Sequence, residues 1–240
     1  MEPSTKWWTR RPTTRASVLI AIAVVLALVG ATLGVTALIR LPARGTTCNA
    51  TTATAEVFPS LVAVGDPAAK SRTTGTVVRG NGVILTSTIG VPASGGTVPV
   101  TLSDGETESA SVVGTDAASG LAVVRVERRQ LPFVLPSPRE PATVGLPVVA
   151  LGSPNANGSA VLSGTVQGIA PVEISAQPSW RLDGALTTDL PAPDANAGAP
   201  VVTCDDRLIG VVVGRAADGT AVAVSAATAH RVLTRLLGEG

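Results

Sequence analysis

From residue 57 to residue 224 the chain is a succession of short β-branched and aliphatic runs, broken about every ten residues by turn-forming residues. Strands of that length joined by turns build antiparallel sandwiches or barrels. The runs predict strands at 57–65, 74–80, 82–88, 98–103, 108–115 and 121–127, then at 145–152, 159–170, 179–188, 199–204, 207–214 and 220–224. Pro132, Pro136, Pro138 and Pro141 mark a connector between the two sets. The pattern then changes period: Val232, Leu233, Leu236 and Leu237 form the apolar stripe of a helix over 226–237.

Before the strands, Ala16 to Ile39 carries no charge. These 24 residues make about 36 Å of helix, enough to cross a hydrocarbon layer of roughly 30 Å. Lys6, Arg10, Arg11 and Arg15 precede the run, against Arg40 and Arg44 after it, which puts the N-terminus in the cytoplasm and the remainder outside. Trp7 and Trp8 fall near the inner interface. The run is longer than the apolar part of a signal peptide and no A-x-A site follows, so an uncleaved anchor is expected rather than a cleaved leader. The layout is then a cytoplasmic tail (1–15), a transmembrane helix (16–39), a linker (40–55) and an external domain (56–240).

Several segments of the external part occur in one recognisable order. Thr74-Gly75-Thr76-Val77-Val78 and Gly82-Val83-Ile84-Leu85-Thr86 are followed by Val100-Thr101-Leu102-Ser103-Asp104-Gly105, then Val112-Val113-Gly114-Thr115-Asp116 and Gly120-Leu121-Ala122-Val123-Val124. Ala150-Leu151-Gly152-Ser153-Pro154 and Ser163-Gly164-Thr165-Val166 come next. Thr188-Asp189 then leads to Asn196-Ala197-Gly198-Ala199-Pro200. The series resembles the HtrA/Deg type of trypsin-like serine proteases over roughly residues 56 to 236. It implies an all-β fold of two six-stranded antiparallel barrels, at about 56–130 and 142–225, closed by a C-terminal helix. The length past the anchor, about 195 residues, suits that domain without the PDZ module that often follows it.

The resemblance also locates the catalytic triad, and all three positions are vacated. The histidine position falls on Ile89, the aspartate on Gly120 and the serine on Ala197. Ala195 and Asn196 occupy the loop whose backbone N–H groups would hold an oxyanion, with alanine in place of a motif glycine. A serine hydroxyl attacks only when an imidazole accepts its proton and a carboxylate fixes that imidazole. The chain has one histidine, His230, on the terminal helix. A Ser–Lys dyad needs a desolvated lysine, and only Lys6 and Lys70 exist, one in the tail and one in a loop. One histidine and two cysteines do not make a zinc site, and no cofactor is implied. Asp205-Asp206 and the trio Asp104, Glu106 and Glu108 read as solvated turn residues rather than acid–base pairs.

Charge and aromatic content narrow the partners. From Gly45 onward there are 12 Arg and Lys against 16 Asp and Glu, no basic footprint for nucleic acid. The external part has only Phe58, Phe133 and Trp180 as aromatic residues, too few for stacking on sugars or bases. Cys48 and Cys204 both lie outside, where disulfides persist, and are expected to pair. Two free thiols or an intermolecular bridge are the alternatives.

The reading that follows is a membrane-anchored pseudoprotease on the extracytoplasmic side of the cell envelope. It would hold an envelope or membrane protein, or an extended peptide added to a strand edge in the cleft between barrels. The alternatives are a hydrolase with an unorthodox residue set around Ser163 or Lys70, and a purely structural assembly factor.

Overall fold

A computed structural model describes residues 55–68, 72–138, 142–156, 161–175, 179–191 and 196–239. Residues Thr46–Gly240 form one unit, in which the strands close into two barrels. The first comprises β1 (Leu61–Val64), β2 (Thr73–Arg79), β3 (Val83–Ser87), β4 (Thr97–Thr101), β5 (Thr107–Asp116) and β6 (Leu121–Arg125). The second comprises β7 (Pro147–Leu151), β8 (Val161–Ile174), β9 (Trp180–Pro191), β10 (Pro200–Thr203), β11 (Leu208–Arg215) and β12 (Thr220–Ser225). Neighbours run β1-β2-β3-β6-β5-β4 and β10-β11-β12-β9-β8-β7, all antiparallel.

The alternation of side chains across a strand explains why several strands are apolar on both faces. In β1, Val62 and Val64 fill the first barrel with Val77, Ile84, Val100 and Val124, while Leu61 faces the other way. There it joins Leu85, Leu121, Val123, Val149, Val202 and Val213 in a core between the barrels and under the helix. The second barrel is filled by Val148, Ala150, Val166, Leu186, Val201 and Val212. Strands between two cores cannot show a polar face, and a one-residue slip would exchange both sets.

The twelve expected strands all form, with boundaries moved by local chemistry. The run 57–65 starts as a 3-10 turn, Phe58–Ser60, because Pro59 cannot donate a strand hydrogen bond and Ser60 Oγ donates to the Val57 carbonyl at 2.7 Å. β3 stops at Ser87, whose hydroxyl accepts the Ile89 N–H at 3.3 Å and caps a 3-10 turn, Thr88–Gly90. β8 and β9 run past the expected 159–170 and 179–188 as one long hairpin. The helix spans Ala226–Leu236 and is capped by Ser225 Oγ, which accepts the Thr228 N–H. Val232 and Leu233 are buried on it.

The barrels are also joined by polar contacts. The Arg72 guanidinium, 7% exposed, donates to the Asn155 carbonyl at 2.6 Å and to the Thr101 hydroxyl. Burial lowers its pKa, and nearby Asp66 opposes that shift. Asn155 Nδ2 returns to the Leu102 carbonyl at 2.8 Å.

The tail, the apolar run 16–39 and most of the linker lie outside the described residues. Among the described residues no helix is long and apolar enough to cross a membrane.

Candidate functional site

Ile89, Gly120 and Ala197, the positions that the resemblance assigns to a triad, lie in one neighbourhood, tied by backbone contacts. The Thr88 N–H donates to the Gly120 carbonyl at 2.8 Å, so the turn carrying Ile89 is bonded to the aspartate position. A Cβ on Gly90 would stand 1.9 Å from Thr73 Oγ1, which shows how closely that turn abuts β2. One residue along β2, the Thr74 N–H donates to the Ala197 carbonyl at 2.9 Å. Thr74 is a hub: its carbonyl accepts the Thr86 hydroxyl at 2.7 Å, and its own hydroxyl accepts the Ser153 N–H at 3.0 Å. Gly198, at φ 85°, is confined by the same hub, because a Cβ there would sit 1.9 Å from the Thr74 carbonyl oxygen.

None of the three carries a group that could act as acid, base or nucleophile. Ile89 is an aliphatic side chain, 57% exposed. Ala197 is buried and offers a methyl group. Gly120, at φ 71°, has no room for a side chain: an added Cβ would lie 2.7 Å from Cη2 and Cζ2 of Trp180 and 3.4 Å from Val213 Cβ. Trp180 starts β9 in the second barrel, and its indole occupies the space that a side chain on Gly120 would need. Sequence reasoning treated this tryptophan only as one of few aromatics. Nothing in its own strand signals the contact.

The hydroxyls nearby are committed to the backbone. Ser87 Oγ donates across the barrel junction to the Val213 carbonyl at 3.3 Å. The Ser175 N–H takes the Arg215 carbonyl on the same strand at 2.9 Å. Two carbonyls at the end of β11 therefore already have internal donors. Asn196 is 1% exposed, and neither its Nδ2 nor its Oδ1 has a partner among the described residues. The sequence placed it in an oxyanion loop. Ala195, the other half of that loop, lies outside the described residues.

The remaining candidates are dispersed. His230 is exposed on the terminal helix, and Ser163 is exposed on β8 opposite Val149. Lys70 lies outside the described residues. Asp189 is a structural tie: its carboxylate accepts the Thr165 N–H at 2.6 Å and the Thr165 hydroxyl at 2.8 Å, and these bonds hold its pKa low. Asp104, Glu106 and Glu108 are not simply solvated turn residues. They converge on Arg128 at 2.6, 2.7 and 3.5 Å, because the turn between β4 and β5 folds over that guanidinium. Asp205 pairs with Arg207 at 2.6 Å. Cys204 is half-buried near the Pro147 carbonyl and is not a free thiol, whereas Cys48 lies outside the described residues.

Comparison with known proteins agrees with this fold. Residues 73–211 match the family described as Trypsin-like peptidase domain. A Chlamydia muridarum protein named "Probable periplasmic serine endoprotease DegP-like" is 27% identical over 179 residues, 70% of this chain and 34% of that protein. The protein named "Serine protease HTRA2, mitochondrial" of Drosophila willistoni is 34% identical over 148 residues, 61% of this chain and 34% of that one. The chain thus spans about a third of the length of these curated relatives. A serine endoprotease from Yersinia pestis, known from its crystal structure, superposes with a TM-score of 0.67 at 22% identity, covering 80% of this chain and 68% of that chain; the likeness is one of fold.

Proposed function

This chain belongs to the trypsin-like peptidase domain family, and from that premise we propose that it is a catalytically inert member that works by binding. The observation that carries the reading is the juxtaposition of Ile89, Gly120 and Ala197, with the Trp180 ring filling the aspartate position. A hydroxyl nucleophile at this junction would need a base. The sole imidazole of the chain is exposed on the terminal helix, and Thr74, Thr86 and Ser87 use their hydroxyls in backbone hydrogen bonds.

We place the domain on the extracytoplasmic face of a membrane, held there by residues 16–39, with a protein of the envelope or membrane, or an extended peptide, as its partner. The apolar length and the arginine asymmetry around it support that topology. A purely structural role without a cleft ligand has one specific observation in its favour: the Val213 and Arg215 carbonyls already have donors within the chain. Both readings exclude turnover.

The decisive experiment exposes the purified full-length chain to a fluorophosphonate probe and to unfolded protein substrates, with an active trypsin-like protease alongside. The expected result is no covalent label and no cleavage. Labelling of a serine that persists after stringent purification would end the proposal. Cross-linking in native membranes followed by mass spectrometry then separates a binding protein, with a defined partner at the barrel junction, from a structural one, with contacts elsewhere.

A further inference from the structure

Behind the plugged aspartate position lies a hollow of about 530 Å³ between the terminal helix, the turn joining β5 to β6, and the start of β9. Ser119 immediately precedes Gly120 and Arg181 immediately follows Trp180. Strand alternation sends Arg181 to the opposite side from the indole. The floor is apolar, formed by Ala118, Leu182 and Val232, the last two each 4% exposed. Arg181, Arg231 and Arg235 stand around it.

The charge balance of this hollow differs from that of the domain. From Gly45 onward acids exceed bases, yet the lining of this hollow carries three guanidiniums and two carboxylates, Asp116 and Asp183. Asp116 is engaged by Arg235 at 3.1 Å and by the Ser119 hydroxyl at 2.7 Å. Asp183 is engaged by Arg181 Nε at 3.1 Å, and Arg181 also lies 4.0 Å from Glu173. Arg231 has no carboxylate partner among the described residues; its one hydrogen bond is to the Thr228 hydroxyl, 2.8 Å away on the same helix. A second hollow, of about 550 Å³, opens on the far side of Arg231 and Arg235. The two arginines therefore form a ridge reachable from both sides.

We propose that this ridge and hollow dock an acidic extended segment of a partner protein, a carboxylate on Arg231 and a neighbouring aliphatic side chain on the Leu182–Val232 floor. A planar guanidinium with free donors suits a carboxylate, and the apolar floor beside it reads the residue next to that carboxylate. None of the vacated triad positions lines the hollow, so the inference holds whether or not the domain is inert.

The test uses the full-length chain in non-ionic detergent and the anisotropy of a fluorescein-labelled peptide of alternating aspartate and leucine. Saturable binding is expected, weakening with added salt and falling roughly tenfold in Arg231→Gln, the loss of one charge-assisted contact. Arg231→Lys should recover part of it. Arg231 is exposed and, among the described residues, hydrogen-bonds only to Thr228, so the melting temperature of Arg231→Gln should match the parent. Three results would overturn the proposal: no binding, equal binding by Arg231→Gln, or equal binding of the asparagine–leucine peptide. Displacement of the peptide by phosphatidylglycerol added to the micelles would also overturn it, assigning the ridge to lipid headgroups.

Discussion

Gly120 is the residue at which the proposed loss of chemistry coincides with a packing contact. Its positive φ disfavours any side chain, and the Trp180 ring edge stands where a Cβ would be. Gly120→Asp should therefore lower stability by about 2–4 kcal/mol, read from urea unfolding, through backbone strain and overpacking together. Restoring the triad as Ile89→His, Gly120→Asp and Ala197→Ser should leave the chain inactive towards the fluorophosphonate probe while Trp180 remains. A triple variant that turns over substrate and unfolds like the parent would refute the blocking role of the indole.

At the scale of an element, the hairpin between β10 and β11 carries a small conflict. Asp206 sits at φ 64° with Oδ1 buried and unpartnered. Burial, then Glu56 and Asp205, raise its pKa. A carboxylate whose folded pKa lies above its unfolded value costs stability as pH rises through the folded value, so the penalty is present at neutral pH. Asp206→Asn, which also tolerates the left-handed backbone, should raise the urea midpoint at pH 7. That gain should shrink to the backbone contribution below about pH 3, where both forms are neutral. The opposite sign holds for Asp189, whose bonds from Thr165 lower its pKa and whose stabilising contribution is lost as pH falls through that lowered value. A midpoint for Asp206→Asn equal to the parent at pH 7 would remove the conflict from the account.

For the whole molecule, the question is what fastens the second barrel to the chain before it. Cys204 is not a free thiol, and Cys48 is the one other cysteine. We propose that they pair, which closes a loop through both barrels. In chain-entropy terms such a closure adds about 4–5 kcal/mol. Reduction should lower the unfolding midpoint of the parent and leave that of Cys204→Ser unmoved. Identical midpoints for the parent with and without reductant would refute the pairing.

The strand succession was legible in residues alone, because β-branched runs and turn residues act locally and each barrel only assembles them. The reading of Ile89, Gly120 and Ala197 as vacated triad positions comes from the order of segments, and the single histidine of the chain is a matter of inventory. Local chemistry also explains where the boundaries moved: Pro59 delays the start of one strand and Ser87 caps the turn that ends another. What only the tertiary structure decided is who fills the space left behind. Trp180 reaches Gly120 from the other barrel, 60 residues along the chain. Ser87 finds Val213, Arg128 gathers three carboxylates from one turn, and Arg231 is left without one. These are contacts between side chains distant in sequence. No period or motif encodes them, because the Arg128 cluster exists only once the first barrel has closed, and the Trp180 and Ser87 contacts only once the second barrel has packed against it.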